Sequence, residues 1–278
     1  MMIAFCVTLL YFDSASDPYF PRFLGLALAV CLLAGREMLT LLDAKTACPR
    51  GPTLFFIFLL VAGNWLPHTG WLPPFAKFDS WKVTGALFVY ACLGAWLLEM
   101  ARFQSPGQST LRIALPILIF FYLGILPSFL IQLRWLRGAD GSYLAGLLAL
   151  GVTIAVTKGA DIGAYFTGRI FGKHRMSPTL SPKKTWEGLA GGLVLSSLLG
   201  WAWFRLFPQT PFCCDGMAAA FGFCTGLAGV FGDLGESLLK RDANLKDASN
   251  TVPEFGGILD ILDSLLFAGP IAWLFFLW

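Results

Sequence analysis

Residues 111–133 read L-R-I-A-L-P-I-L-I-F-F-Y-L-G-I-L-P-S-F-L-I-Q-L, and Arg112 is their single charged residue. A helix needs about 20 mainly apolar residues to cross the hydrocarbon core of a bilayer. This stretch therefore predicts a transmembrane helix. Similar apolar runs lie at residues 1–12, 20–34, 53–66, 82–100, 142–157, 188–206, 217–232 and 258–278. The sequence thus predicts an all-α, polytopic integral membrane protein with about nine transmembrane helices.

The composition of the 278 residues supports this fold class. Hydrophobic residues make up 56% of the chain, charged residues only 13%, and the mean hydropathy is +0.69. Soluble domains carry about 25% charged residues, so this chain has too little polar surface to coat a water-soluble particle. The net charge of +3 is too small to indicate a polyanionic partner. We therefore expect no nucleic acid partner.

The distribution of basic residues predicts how the chain is oriented. Loops rich in Lys and Arg stay on the cytoplasmic side of a membrane. This rule places four segments there, at residues 35–52, 101–110, 169–184 and 240–246. Arg134 and Arg137 then fall on the opposite side, against the rule, so we expect them to cap the helix at 111–133 or to fold inward.

Charge is concentrated in two segments, 158–187 and 233–263, which hold nine of the 17 acidic and nine of the 20 basic residues. Ionisable residues that flank or enter a membrane span are costly and tend to mark a functional site. We therefore predict a polar site on the cytoplasmic side. Along the chain we distinguish N-terminal helices (1–110), middle helices with a basic loop (111–187) and C-terminal helices with the candidate catalytic signature (188–278).

Three aspartates are the candidate metal ligands. Asp260 and Asp263 are three residues apart and would share one face of a helix, and Asp233 would join them from a neighbouring helix. Carboxylates this close repel one another unless a cation lies between them, and oxygen ligands suit Mg²⁺. The alternative is an acidic pair that the dipole favours at a helix N-terminus. The nearby Ser237, Lys240 and Arg241 favour a site for metal and phosphate.

The other polar segment contains Asp161, Lys183 and Lys184. Asp161 follows an apolar run, where it could be a structural partner of a buried basic residue. The two lysines could form a patch that attracts anionic lipid headgroups, or they could bind the phosphates of a substrate. The residues alone leave these alternatives open.

Several kinds of chemistry are excluded by what the sequence lacks. The two histidines, His68 and His174, are far apart and have no metal-ligand spacing, which argues against zinc or histidine catalysis. No G-x-x-x-x-G-K-[ST] loop and no G-x-G-x-x-G fingerprint occurs. Any nucleotide is therefore bound by other means.

Three separate motifs, in order, resemble those of the phosphatidate cytidylyltransferase (CDP-diacylglycerol synthase) family. They are A-D-I-G-A-Y-F-T-G-R at 160–169, S-P-K-K-T-W-E-G at 181–188 and S-L-L-K-R-D-A-N-L-K-D-A-S-N-T-V-P-E-F-G-G-I-L-D-I-L-D at 237–263. The stretch Y-L-G-I-L-P-S-F-L at 122–130 also fits. Two positions depart from the family pattern: Phe255 replaces a His and Ile261 replaces an Arg. The charged residues of the motifs remain, which favours an active enzyme.

The resemblance implies that CTP and phosphatidic acid react to give CDP-diacylglycerol and pyrophosphate. It implies a Mg²⁺ site at Asp233, Asp260 and Asp263, and a second, monovalent cation such as K⁺. The catalytic residues would be Lys240, Arg241, Ser237, Lys246 and Asp247, and the substrate would be bound by Asp161, Lys183, Lys184, Gly256 and Gly257. The expected context is a homodimer among the lipids of a bacterial cytoplasmic (inner) membrane, with the active site facing the cytoplasm.

Three other functions would differ from this one in their sequence pattern or their product. A CDP-alcohol phosphotransferase should show D-G-x-x-A-R, but no Arg follows Asp215-Gly216, where the chain continues Met-Ala-Ala-Ala. A CTP-dependent polyprenol kinase would release CDP instead of pyrophosphate. A transporter should show two repeated halves with broken helices, and the sequence shows no such repeat. The kinase and the transporter stay as alternatives, beside a catalytically silent member of the family.

Overall fold

The computed structural model describes residues 13, 16–43, 45–46, 48–69, 79–208, 214–245 and 257–277. These residues contain eight helices that are long and apolar enough to cross a membrane, so the chain is an all-α polytopic membrane protein. The helices are α1 Pro21–Leu42, α2 Arg50–Gly63, α3 Ser80–Arg102, α4 Ser109–Leu133, α5 Leu144–Phe171, α6 Trp186–Leu206, α7 Asp215–Asp242 and α8 Ile258–Phe276. The span that begins with α2 continues through a 3₁₀ turn, Leu66–His68, and is Arg50–His68 in full. The ninth predicted span, 1–12, lies outside the described residues.

Three helices extend well past the ends that hydropathy predicted, and one of them is α1, which runs to Leu42 where the expected span 20–34 ended. The expected spans 142–157 and 217–232 end where charged residues begin, whereas α5 runs to Phe171 and α7 runs to Asp242. Hydropathy identifies only the apolar part of a helix, which lies in the lipid. The helix itself can continue past that part where its polar side chains find partners within the protein. Residues 158–171 and 233–242 are therefore helical extensions that carry polar side chains.

A small antiparallel hairpin connects α5 to α6. Its strands are β1 Arg175–Ser177 and β2 Ser181–Thr185. Thr185 then caps α6, because its Oγ1 accepts a hydrogen bond of 3.1 Å from the backbone N–H of Gly188. Glu187 accepts bonds from the backbone N–H groups of Lys173 and His174, both at 3.2 Å. The motif at 181–188 therefore has a structural role in fixing the hairpin against α6.

The contacts divide the chain into two compact units, and the first comprises residues 1–132 and 245–259. Asn64 links its helices, because its Nδ2 donates to Ser128 Oγ at 3.0 Å and its Oδ1 accepts from Gln132 Nε2 at 2.7 Å. Such polar contacts join helices within a bilayer. The buried Glu37 accepts a bond of 2.9 Å from the backbone N–H of Leu259, at the start of α8.

The second unit comprises residues 133–244 and 260–278. Glycines bring its helices into backbone contact: a Cβ on Gly192 would lie 2.6 Å from the carbonyl of Ala160, and one on Gly188 would lie 2.8 Å from the carbonyl of Ala164. Small residues of this kind let membrane helices approach closely. α5 and α6 are therefore held together along the part of α5 that leads into the hairpin. The division of the chain into 1–110, 111–187 and 188–278 stays a prediction.

The two arginines that broke the positive-inside rule both interact with Tyr143. Arg134 is fully buried, and its Nη1 donates to the Tyr143 carbonyl at 3.0 Å. Arg137 donates to the Tyr143 hydroxyl at 2.7 Å and lies over its ring. Arg134 therefore folds inward, which was one of the two arrangements that the sequence led us to expect.

Candidate active site

The candidate active site lies in the second unit, where α5, α7 and α8 approach closely at two glycines. A Cβ on Gly229 would lie 2.7 Å from Thr157 Cγ2, and one on Gly232 would lie 3.0 Å from Ser264 Cα and closer still to the Asp263 carbonyl. Because neither glycine has a side chain, the polar residues that follow them on α7 are brought next to α8. This packing positions Asp233 and Glu236 near Asp263.

Lys184 on β2 pairs with Asp233 on α7. Its Nζ lies 2.8 Å from Asp233 Oδ2 and 3.4 Å from the Val230 carbonyl. Both side chains are only partly exposed, with relative accessibilities of 21% and 36%. A partly buried pair loses less of its attraction to solvent screening than a surface pair does. The lysine and the aspartate that the sequence assigned to substrate and metal are therefore direct partners.

Lys158 on α5 joins the same region to α8. Its Nζ donates to Ser264 Oγ at 2.7 Å and lies 3.5 Å from Asp161 Oδ2. Asp161 is therefore paired with a lysine one turn earlier on its own helix. This agrees with the structural alternative for Asp161, and it also places Asp161 beside the cavity described below.

Lys240 bridges two acidic residues on different helices. Its Nζ lies 2.6 Å from Asp260 Oδ1 and 3.3 Å from Glu236 Oε2. Glu236 is 1% exposed, and neither of its carboxylate oxygens has a hydrogen-bond donor among the described residues. Its charge also interacts with those of Asp260 and Asp263. We refer to Asp233, Glu236, Asp260 and Asp263 as the acidic cluster.

The other predicted site residues lie around this cluster or beyond the described ranges. Arg241 points away from Lys240, since its Nε donates to the Leu180 carbonyl in the hairpin turn at 3.3 Å. The side chains of Ser237 and Lys183 make no hydrogen bond or ion pair with any residue that the structure describes. Gly257 is buried just before α8 and belongs to the first unit. Lys246, Asp247, Gly256 and the divergent Phe255 lie outside the described residues.

A cavity of about 250 Å³ opens beside Lys184 and Asp233. Its polar lining includes Asp161 and Lys183, and Tyr165, Met176 and Leu189 supply much of its apolar lining. The two lysines and two aspartates thus face one space. An anionic group could bind between the lysines there, and an apolar chain could pass along the other wall.

The acidic cluster suits Mg²⁺ in its chemistry. All four side chains offer carboxylate oxygens, and buried Glu236 has no hydrogen-bond donor within the described part of the chain. Among those residues, no group of three or more potential ligands is positioned to hold a metal ion by itself. Mg²⁺ is usually bound through one or two carboxylates together with substrate phosphates, which requires no such group. The assignment of Asp233, Asp260 and Asp263 to a metal stays a prediction.

Three residues of the site were missed from the sequence: Lys158, Glu236 and Ser264. A signal for Glu236 was present, because it precedes Lys240 by four residues and such pairs share a face of a helix. Lys158 has the corresponding three-residue spacing from Asp161. Ser264 gave no local signal, since its partner Lys158 lies 106 residues away.

Comparison with known proteins places this chain in a family. The model of the cytidylyltransferase family matches residues 1–278, and the chain belongs to that family. A phosphatidate cytidylyltransferase of Chlamydia pneumoniae is 32% identical over all of this chain and 89% of its own length. One from Synechocystis is 32% identical over 90% of this chain and 86% of its own. Phosphatidate cytidylyltransferase 4, chloroplastic, of Arabidopsis thaliana is 37% identical over 69% of this chain and 51% of its own.

Proposed function

We propose that this chain transfers the cytidylyl group of CTP to phosphatidic acid, giving CDP-diacylglycerol and pyrophosphate. The observation that carries the proposal is the cavity shared by Lys183, Lys184, Asp161 and Asp233, which lies beside the acidic cluster. Because the cavity lies among apolar helices, a membrane lipid could enter it from the bilayer. The whole-chain relatives that are named phosphatidate cytidylyltransferases support the same reaction.

The reaction needs positioning and charge neutralisation more than covalent help from the protein. A phosphate oxygen of the lipid attacks the α-phosphorus of CTP, and the bond from that phosphorus to the bridging oxygen of the β-phosphate breaks. Pyrophosphate leaves with that bridging oxygen. Lys184 and Lys183 would bind phosphate oxygens in the cavity, and Ser237 would donate a hydrogen bond. Lys240 and Arg241 would offset the charge that develops on the departing pyrophosphate.

We also propose that Mg²⁺ serves as cofactor and that a monovalent cation such as K⁺ accompanies it. Asp233, Asp260 and Asp263 would hold Mg²⁺ together with the phosphates of CTP, and the metal would neutralise phosphate charge. In the structure, Lys184 pairs with Asp233, and Lys240 pairs with Asp260. They would turn from the carboxylates to the phosphates when metal and nucleotide bind. Lys246 and Asp247 would complete the proposed catalytic residues, and Gly256 and Gly257 would complete the proposed substrate contacts.

The proposed setting is a bacterial cytoplasmic (inner) membrane, with the acidic cluster on the cytoplasmic side, where CTP is made. Five basic residues between 169 and 184 support this orientation through the positive-inside rule. We further propose a homodimer, which rests on the family resemblance. The mass of the detergent-solubilised protein, measured by light scattering, checks this assembly.

The deciding experiment measures pyrophosphate release by the purified full chain with Mg²⁺ and CTP, with and without phosphatidic acid. We expect release that depends on the lipid, and a lipid product whose mass has increased by one cytidylyl group. Release of CDP with a phosphorylated lipid would instead identify a lipid kinase. A folded protein that binds Mg²⁺ and CTP but releases neither product would point to a silent family member and would contradict the proposal.

The Asp260→Asn variant tests the metal assignment. We expect it to lose metal-dependent turnover while it still inserts into the membrane, because one carboxylate ligand becomes a neutral amide. Turnover is measured across a Mg²⁺ titration, and membrane insertion is measured in the same preparation. Near-normal turnover at ordinary Mg²⁺ concentrations would contradict a role for Asp260 in binding the metal.

A further inference from the structure

A second polar cavity, of about 130 Å³, lies in the first unit among α2, α3 and α4. Arg102, Arg112 and Glu99 supply its charged lining, and Phe56 and Pro116 are among its apolar residues. Arg102 ends α3 and Arg112 lies in the first turn of α4. Because only a short connection separates these two helix ends, the charged residues lie at one boundary of the membrane spans.

The charges in this cavity are incompletely compensated. Glu99 is 8% exposed, and its Oε1 lies 3.7 Å from Arg112 Nη1 without a hydrogen-bond donor in the described part of the chain. The guanidinium of Arg102 makes no ion pair or hydrogen bond with any described residue. Glu99 therefore pairs with Arg112 only, and the charge of Arg102 leaves the cavity with one net positive charge. Arg112 also lies at a helix N-terminus, where the dipole disfavours a cation and favours an anion.

An apolar groove continues from this cavity along α2 and α3. The groove is open and shares Pro52, Phe56 and Leu98 with the cavity, and exposed Phe55 and Leu97 line its outer part. Its floor is formed where Phe56 packs on Gly94, since a Cβ on Gly94 would lie 2.5 Å from Phe56 Cζ. A cationic pocket at the membrane boundary thus leads into an apolar groove on the surface of the spans.

We propose that this cavity and groove bind an anionic glycerophospholipid. Arg102 and Arg112 would bind the phosphodiester oxygens, and one acyl chain would lie on Phe55, Phe56 and Leu97. Basic pockets between membrane helices suit anionic headgroups, and the phosphate charge compensates the excess charge of the pocket. A free phosphate would use the arginines but leave the groove empty. None of these residues belongs to the acidic cluster or its cavity, so the proposal does not depend on the catalytic assignment.

The test measures lipid binding to the delipidated full chain in detergent by native mass spectrometry. The added ligands are phosphatidylglycerol, phosphatidylcholine with the same acyl chains, and glycerol 3-phosphate. We expect a phosphatidylglycerol site that phosphatidylcholine and glycerol 3-phosphate do not fill. Arg102→Gln and Arg112→Gln should each weaken this site about tenfold, the loss expected for one charge-assisted contact. Arg22→Gln, at an exposed arginine of the same unit that does not line the cavity, should leave it unchanged.

A second pair of variants tests the groove separately from the charges. Gly51 lines the groove, and a Cβ there would meet nothing within 4 Å, so Gly51→Leu should fill the groove without a clash. Gly25 is equally open and lies elsewhere in the unit, which makes Gly25→Leu the matched control. We expect weaker phosphatidylglycerol binding in the first variant only. The proposal would be overturned if wild type and both arginine variants bound phosphatidylglycerol equally well. It would also be overturned if the wild type bound phosphatidylcholine as well as phosphatidylglycerol.

Discussion

Glu236 is the residue whose surroundings differ most from what its neighbours in sequence suggest. It lies in the G-D-L-G-E-S run at 232–237, yet its side chain is almost fully buried, with Lys240 3.3 Å away and Asp260 and Asp263 nearby. A buried carboxylate is costly unless a cation compensates it. Glu236 therefore adds carboxylate oxygens to the place where Mg²⁺ would bind and helps to hold Lys240 in place.

The Glu236→Gln variant tests this role, because the amide keeps the shape of the side chain and removes its charge. We expect turnover to fall about 10- to 100-fold, the usual loss when a supporting group of a metal site is removed. The Mg²⁺ concentration for half-maximal rate should rise in parallel. Turnover is measured by pyrophosphate release over a Mg²⁺ titration.

Asp215→Asn is the matched control, since it removes one negative charge from the opposite end of the same helix, where Asp215 pairs with Arg205. We expect its Mg²⁺ dependence to stay that of the wild type. Equal effects of the two substitutions would mean that Glu236 acts only through the general charge of α7, which would contradict the role assigned to it.

At the scale of the elements, the close approach of α7 and α8 brings the acidic cluster together. Gly232 allows it, because any side chain there would meet the backbone of Asp263 and Ser264. Gly235, one turn later on α7, has ordinary space: a Cβ there would lie 3.5 Å from Phe267 Cζ. These two glycines lie on one helix, in the run at 232–237, but have opposite packing requirements.

We therefore expect Gly232→Ala to destabilise the protein by about 1–3 kcal/mol, the cost of overpacking a tight contact. Its turnover should also fall, because α8 must shift together with Asp263. Gly235→Ala should be neutral or stabilise by up to about 1 kcal/mol, since Ala is the better helix former. Thermal unfolding in detergent and turnover measure both effects, and similar stability of the two variants would refute the close contact at Gly232.

At the scale of the whole molecule, successive spans alternate the side on which connections lie. α4 separates the connection at 103–108 from the one at 134–143, and α5 then returns the chain to the hairpin. Residues near 105 and 179 should thus face one compartment, and residue 139 the other. The positive-inside rule predicts that the first compartment is the cytoplasm.

Single cysteines at these places test the proposed orientation in a background in which the seven native cysteines are replaced. We expect Ala139→Cys to react with a membrane-impermeant maleimide added to sealed spheroplasts. Ser105→Cys and Thr179→Cys should react only after the membrane is opened, because both would face the cytoplasm. Labelling is read by gel shift, and the reverse pattern would invert the proposed topology.

The sequence alone determined the fold class, and it supplied the candidate residues of the site, whose roles stay a prediction. Long apolar runs predicted the starts of all eight described helices within a few residues, although α1, α5 and α7 run further than predicted. Partition into a bilayer depends on local composition, so a window along the chain suffices. The motifs at 160–169, 181–188 and 237–263 likewise indicated the family that the whole-chain comparison shows.

Only the tertiary structure decided which charges meet. It pairs Lys184 with Asp233, joins Lys158 to Ser264, pairs Lys240 with Asp260, and turns Arg241 from the cluster to the hairpin. It also extends α5 and α7 beyond their apolar parts. These pairings depend on the rotation and approach of helices far apart in sequence, which glycine contacts such as that at Gly232 set. Local hydropathy carries no information about such contacts, because they form between residues that no sequence window contains together.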